Sequence, residues 1–188
     1  MIKLTRKPCP NPVKLKTNYK YKENKLALSD SSYGKCMYCE SSISHIDYGD
    51  VEHIKPKSQF PSEMYNWDNL GFSCTKCNRD YKKEYYDSNL INPYETDPSD
   101  YVYFLGGLIR AKGSNDKGRI TIALIQLNRQ NLLQKRLEAL ISFQDLIDRF
   151  QTATNSAEKI ALKRLIEEYI KEDKEFSACK KAFWKATK

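Results

Sequence analysis

The sequence predicts an α+β protein, and three observations carry that prediction. Two Cys-x-x-Cys pairs, Cys36-Met-Tyr-Cys39 and Cys74-Thr-Lys-Cys77, bracket a short β-branched segment. A second strand pattern folds back on itself around Gly106-Gly107, and the last third of the chain turns to helical periodicity. Three regions follow from this: a basic arm with a short helix over 1–32, a cysteine-bracketed core over 33–90, and a hairpin with helices over 91–188.

Lys7-Pro-Cys-Pro-Asn-Pro12 carries proline at alternate positions, so the first 20 or so residues read as an extended arm and not as a helix. Lys22 to Ser31 suits a short helix ending before Gly34. Asp50-Val-Glu-His-Ile54 suits a strand that stops ahead of Pro56. Asn66 to Leu70 reads as a turn built on Asx chemistry, because Asn and Asp side chains bond their own backbone readily. A helix starts after Cys77. Pro93 and Pro98 mark a connector, and Tyr101–Leu105 with Leu108–Ala111 form the hairpin. From Arg119 the pattern is helical, with Leu133, Leu137, Leu140, Ile141, Ile147 and Phe150 recurring on one face. Asn155 and Glu158 form a capping box for the next helix, and a last helix covers Glu175 to Ala186.

The formal charge of +8 favours an acidic partner. It is unevenly spread. Residues 1–25 hold eight Lys/Arg against Glu23 alone, residues 26–100 hold seven against thirteen Asp/Glu, and residues 101–188 hold seventeen against ten. An acidic core between basic flanks implies that the flanks supply most phosphate neutralisation. Plentiful tyrosine argues for a folded chain over a disordered one. No apolar run resembles a signal peptide or approaches the roughly 20 residues that cross a bilayer, so no membrane role and a cytoplasmic location are expected.

In a reducing compartment, paired cysteines at this spacing read as zinc ligands more readily than as disulfides. Cys36, Cys39, Cys74 and Cys77 are therefore the expected ligands of a tetrahedral structural zinc ion. The 34 residues between Cys39 and Cys74 fold as a unit whose ends the ion ties together. Neither pair sits in a βαβ pattern, which argues against a redox role. Cys9 and Cys179 stand alone and are read as structural.

Inside the bracketed loop lie Glu52-His53, Asn69 and, directly after the last cysteine, Asn78. Phosphodiester hydrolysis needs a group that takes a proton from water and a divalent ion that stabilises charge on the leaving oxygen. His53 suits the base. Glu52 and Asn78 offer oxygen atoms to a hard ion such as Mg²⁺ or Mn²⁺. Asn69 suits an orienting role, holding the His53 imidazole or its backbone. Lys55, Lys57, Arg79, Lys82 and Lys83 are the expected nucleic-acid contacts. His45 is read as a surface residue with substrate contact as the alternative, Arg119 and Arg129 as residues of the wider pattern or equally as helix salt-bridge partners, and Phe183-Trp184 as core or interface aromatics.

Cys36-x-x-Cys39, Val51-Glu-His-Ile-Lys-Pro-Lys-Ser58, Trp67-Asp-Asn-Leu70 and Cys74-x-x-Cys-Asn78 together resemble the HNH endonuclease motif of the ββα-metal (His-Me finger) fold. The resemblance implies a two-stranded hairpin and a helix gripping one catalytic ion. It implies His53 as general base, Asn69 as its orienter and Asn78 as a metal ligand in an HNN variant. Glu52 stands where aspartate is usual, one methylene longer. Tyr38-Cys39-Glu40, Gly118-Arg-Ile-Thr121 and Leu127-Asn-Arg129 extend the similarity to the HNH nuclease subunit of Septu-type and retron-associated antiphage systems. That similarity implies a DNA substrate, with RNA open, and an ATPase partner. Two other readings compete: a non-catalytic zinc module that binds nucleic acid or protein, and a stand-alone restriction or homing nuclease.

Overall fold

The computed structural model describes residues 1–43 and 48–187, so His45 lies outside the described residues. Helix α1 (Pro12–Leu15) is one turn capped by the Asn11 side chain, and α2 (Lys22–Ser31) follows with the predicted bounds. Strand β1 (Asp50–His53) pairs antiparallel with β2 (Leu70–Ser73). A π-helix (Lys76–Lys82) comes next. A second antiparallel pair joins β3 (Val102–Leu105) to β4 (Leu108–Ala111). The chain ends in α3 (Asp116–Leu124), α4 (Gln130–Thr152), α5 (Ser156–Tyr169) and α6 (Ser177–Ala186). This is the expected α+β architecture.

Local chemistry accounts for most of these elements. Asn66 opens the turn before β2 by accepting from the Asp68 N–H, as its Asx character predicts. Gly106 takes φ +56° at the tip of the second hairpin, and Gly107 lies where any Cβ would press on Leu133 and Leu137 of α4. Asn115 caps α3, which starts three residues earlier than the apolar pattern alone predicts. Asn155 caps α5 through the N–H groups of Ala157 and Glu158.

Two expectations are corrected. The first concerns the N-terminal arm, which is not wholly extended. Asn11 and Pro12 together start a helical turn, since a cap and a first-turn proline suit a helix N-terminus. Met1, Ile2 and Leu4 are buried in the main core, and the Leu4 N–H bonds the Pro93 carbonyl at 2.9 Å. The second concerns α4. Its buried stripe is Leu132, Arg136, Leu140, Phe143, Leu146 and Ile147, whereas Leu137 and Ile141 are 44% and 72% exposed. The Arg136 guanidinium, 1% exposed, donates to the Leu127 carbonyl at 2.7 Å. A charged residue on the inner face hides that face from a search for apolar periodicity.

The main core gathers the cysteine cluster, Leu28, Ile43, Leu70, Ile91, Ile109, Ile125 and Leu127 around the first hairpin. A second core forms where Phe143, Leu146 and Ile147 of α4 meet Leu162 and Ile166 of α5 and Trp184 of α6. Phe150 and Trp184 stack edge to face there, 5.6 Å apart, so Trp184 is a core aromatic. Among the described residues, no helix is long and apolar enough to cross a membrane.

Candidate active site and metal centre

The two Cys-x-x-Cys knuckles converge. The Sγ atoms of Cys36, Cys39, Cys74 and Cys77 all lie within 4.8 Å of one another. Sulfur ligands near 2.3 Å on a tetrahedral ion stand roughly 3.8 Å apart, and Cys39 Sγ lies 3.9 Å from Cys74 Sγ. Four soft donors at that spacing fit zinc. The thiols also influence each other strongly. Hydrogen bonds from Cys36 and its neighbours hold Cys39 and Cys74 below the ordinary thiol range, while Cys36 (through burial) and Cys77 (through its bonds to the other three) are pushed well up. A cation at the centre would remove that conflict. Arg129 supplies one positive charge from outside, donating to Cys77 Sγ at 3.5 Å. Burial alone would lower its guanidinium; the adjoining cysteines raise it.

Glu40, directly after the first knuckle, takes φ +63°. Its carboxylate is buried against the Met1 ammonium at 2.6 Å and accepts from Ser177 Oγ at 2.9 Å and the Ala178 N–H at 3.2 Å. An anion at the N-terminus of α6 meets the positive end of the helix dipole. Burial would raise this carboxyl, but the ammonium and Lys35 outweigh it and hold the group at about 2. One side chain thereby fastens the cysteine knuckle to the last helix.

The second centre opens on the first hairpin. Asp50, Glu52 and His53 of β1 share a cavity of about 240 Å³ with Asn78 and Arg79 of the π-helix, Lys83, Glu84, Lys57 and Tyr19. The register Glu52↔Gly71 and His53↔Leu70 sets this arrangement. Gly71 pairs with Glu52, at a place where a Cβ would sit 2.2 Å from Met37 Sδ and that side chain would have to move.

His53 is 9% exposed, and its Nε2 lies 3.0 Å from the Met64 carbonyl. A carbonyl only accepts, so Nε2 carries the proton and Nδ1 keeps its lone pair. Burial lowers the imidazole pKa, with Lys57 and Lys82 acting in the same direction against the Met64 bond. The ring is therefore held neutral, as a base requires. Tyr19 packs edge-on to it with centroids 4.6 Å apart.

Among the described residues, Asn69 makes no hydrogen bond to the imidazole. Its Oδ1 accepts from the Lys55 N–H at 2.8 Å, and its Nδ2 donates to the Lys55 carbonyl at 2.9 Å and the Glu63 carbonyl at 3.1 Å. It clamps the backbone just beyond His53 on both sides. The Asn78 side chain, half-buried in the same cavity, makes no hydrogen bond among the described residues. Glu52 is 1% exposed; its Oε1 meets Lys82 Nζ at 2.8 Å and the Tyr38 hydroxyl at 3.2 Å. Burial pushes its carboxyl above the ordinary carboxylate range, against the pull of Lys82.

The expected nucleic-acid contacts divide. Lys83 is exposed at the cavity edge with φ +50°, a strained backbone at the end of the π-helix. Lys57 Nζ donates to the Tyr19 hydroxyl at 2.6 Å, and Lys55 Nζ lies 3.7 Å from Glu63. Arg79 reaches across to Asp50, Nε to Oδ2 at 2.8 Å. Lys82 is corrected: at 1% exposure it is closed to a phosphate. Its ammonium, besides Glu52, donates to the His53 carbonyl at 2.8 Å.

Sequence reasoning passed over Tyr19, Arg6 and Glu63. Arg6 donates to the Leu70 and Asp68 carbonyls and stacks 3.9 Å over the Tyr94 ring, pinning the turn that carries Asn69. Tyr19 and Arg6 come from the N-terminal arm, far from the motif in sequence, and no local signal marks them. Cys179 is buried with its thiol raised to about 11 by burial, consistent with a structural role.

An antiparallel hairpin, a helix, a cysteine cluster and a cavity lined by a histidine and two oxygen-bearing side chains stand together in this part of the chain. Residues 36–84 match the family model described as HNH endonuclease, so this stretch of the chain carries an HNH endonuclease domain. Beyond the domain, the chain resembles Septu protein PtuB. It is 33% identical over 150 residues to that protein from Bacillus mycoides (strain KBAB4), covering 63% of this chain and 51% of the relative. It is 32% identical over 148 residues to the one from Bacillus thuringiensis, covering 72% and 56%. The chain thus spans little more than half the length of these relatives.

Proposed function

We propose that this chain hydrolyses phosphodiester bonds of DNA as the nuclease subunit of an antiphage defence system, gated by an ATPase partner. The observation that carries the chemistry is a single cavity lined by His53, Glu52 and Asn78, in which the Met64 carbonyl takes the Nε2 side of the imidazole and no hydrogen bond among the described residues engages Nδ1. Glu52 and Asn78 would hold a divalent ion, Mg²⁺ or Mn²⁺, whose hard-oxygen preference fits this donor pair. When bound, that ion supplies charge stabilisation at the leaving 3′-oxygen.

His53 takes the proton of the attacking water at Nδ1, while the Met64 carbonyl fixes the tautomer at Nε2. Asn69 keeps the imidazole in place through the Lys55 backbone. Lys57 and Lys83 line the cavity rim and receive backbone phosphates; Lys55 flanks it; Arg79 does so on leaving Asp50. Zinc on the four cysteines is structural. The defence role and its partner rest on the kinship with PtuB. An apolar strip, with Ile141 72% exposed one turn beyond Leu137, supports a protein partner on α4.

The test is plasmid cleavage by the purified chain with Mg²⁺ or Mn²⁺, alone and with its neighbouring-gene product, beside His53→Ala. Removing a general base lowers the rate by about 10²- to 10⁴-fold. Cleavage at the parental rate by His53→Ala overturns the assignment. Cleavage of RNA but not DNA overturns the substrate class.

A further inference from the structure

A buried lysine on a metal-site carboxylate is an unusual occupant. Lys82 Nζ lies 2.8 Å from Glu52 Oε1 and 2.8 Å from the His53 carbonyl, and both side chains of the ion pair are 1% exposed. Lys82 is the last residue of the π-helix that also carries Asn78, and such widened turns concentrate at functional sites. The ammonium and the Tyr38 hydroxyl both engage Oε1. Among the described residues, no hydrogen bond engages Oε2, and Glu52 lines the cavity with Asn78.

We propose that Lys82 is a built-in counter-cation of this pocket: its ammonium neutralises Glu52 before a divalent ion arrives, and then opposes that ion's binding. The proposal rests on Glu52 being a metal ligand, as in the reading above.

The physical argument has three parts. A buried carboxylate without a cation is strongly unfavourable, so a metal site that must fold before loading needs a resident positive charge. A buried ion pair is otherwise no efficient way to join helix to strand, because apolar residues of similar size do as well or better. Finally, an ammonium on Oε1 fixes the carboxylate rotamer and leaves Oε2 for the cavity, the outer-shell arrangement that orients a ligating oxygen. The cation that prepares the site also repels the incoming one. Lys82 therefore sets the metal affinity low, so that loading depends on a second contribution such as substrate phosphate. Among the described residues, Lys57 and Lys83 make no ion pair with Glu52, and Lys57 Nζ donates to the Tyr19 hydroxyl instead.

The experiment measures Mn²⁺ binding by the full chain, with zinc retained, using electron paramagnetic resonance of free Mn²⁺. Parent, Lys82→Met and Glu52→Gln are compared, and each thermal midpoint is read with and without Mn²⁺. Lys82→Met is expected to bind Mn²⁺ at least about ten-fold more tightly, and its midpoint to rise more on Mn²⁺ addition than the parent's. Glu52→Gln is expected to bind weakly. Unchanged or weaker Mn²⁺ affinity in Lys82→Met, with Glu52→Gln still defective, overturns the role of Lys82 alone. Parental affinity in Glu52→Gln overturns the ligand reading as well. If Lys82→Met does not fold, Lys82→Gln, which keeps a donor for the His53 carbonyl, takes its place under the same outcomes. A variant that only loosened the structure would lose stability without gaining metal affinity.

Discussion

Asn69 shows how one side chain can fix the backbone beside a group to which it makes no hydrogen bond. Its carboxamide uses both ends on the backbone of Lys55, two residues past His53, and adds the Glu63 carbonyl. Asn69→Ala takes the side-chain partner from the part-buried Lys55 N–H and Lys55 carbonyl, each worth about 1–3 kcal/mol when unsatisfied and partly relieved by water, while the Glu63 carbonyl keeps the Asn66 N–H at 3.2 Å. We expect about 2 kcal/mol of lost stability in urea unfolding and at least a ten-fold fall in cleavage, with divalent-ion affinity unchanged because Asn69 is no ligand. Asn69→Asp keeps Oδ1 for the Lys55 N–H but sets a carboxylate oxygen against two carbonyls, so it should be no better than alanine. An Asn69→Ala variant with parental cleavage would show that the backbone clamp does not position His53. The identity of this residue was legible in the sequence, because Trp67-Asp-Asn-Leu70 stands in the motif. Its partners were not. A hydrogen bond to a backbone fourteen residues away leaves no trace in residue type, and the same holds for Tyr19 against His53 and Arg6 over Tyr94.

Elements were legible in proportion to how locally they are specified. Helix α2, the turn at Asn66, the glycine hairpin and the Asn155 cap each follow from a few adjacent residues, and each lies where those residues predict. The inner face of α4 was misread because it depends on what packs against it. This 23-residue helix serves both cores, and Arg136 interrupts the apolar count on the buried stripe while Leu137 and Ile141 extend it on the exposed one. The distinction is measurable. Ile166 of α5 is fully buried between α4 and α6, so Ile166→Ala should cost about 2–5 kcal/mol through lost burial and a residual cavity. Ile141→Ala, on the outer face, should stay within about 0.5 kcal/mol in the isolated chain. Comparable losses at both positions in denaturant unfolding would mean that α4 is turned differently. Asn155→Ala should cost about 1 kcal/mol by uncapping α5.

At the scale of the whole molecule, the four-thiol cluster lies where separate parts of the chain meet. Cys36 and Cys39 precede β1, Cys74 and Cys77 start the π-helix, Arg129 at the head of α4 donates to Cys77, and Glu40 ties the knuckle to the amino terminus and α6. The cavity lined by His53 has no such reach, since its groups come from one hairpin, its helix and the adjoining arm. The two metal centres should therefore separate in their effect on stability. Withdrawing the structural ion with a thiol-competing chelator leaves four close thiols, two of them pushed up, with nothing to join the knuckles. The thermal midpoint should fall by more than 10 °C, since several kcal/mol are lost from a domain for which 1 kcal/mol moves the midpoint by about 2–4 °C. Cleavage should not return on adding Mg²⁺ alone. A weak chelator that removes only Mg²⁺ or Mn²⁺ should abolish cleavage while moving the midpoint by less than about 2 °C, because Lys82 already neutralises Glu52. Both responses are read by calorimetry with metal analysis of the same samples. Equal midpoint shifts from the two treatments would place the catalytic ion among the structural supports of the fold, and would remove the reason for a lysine in its pocket.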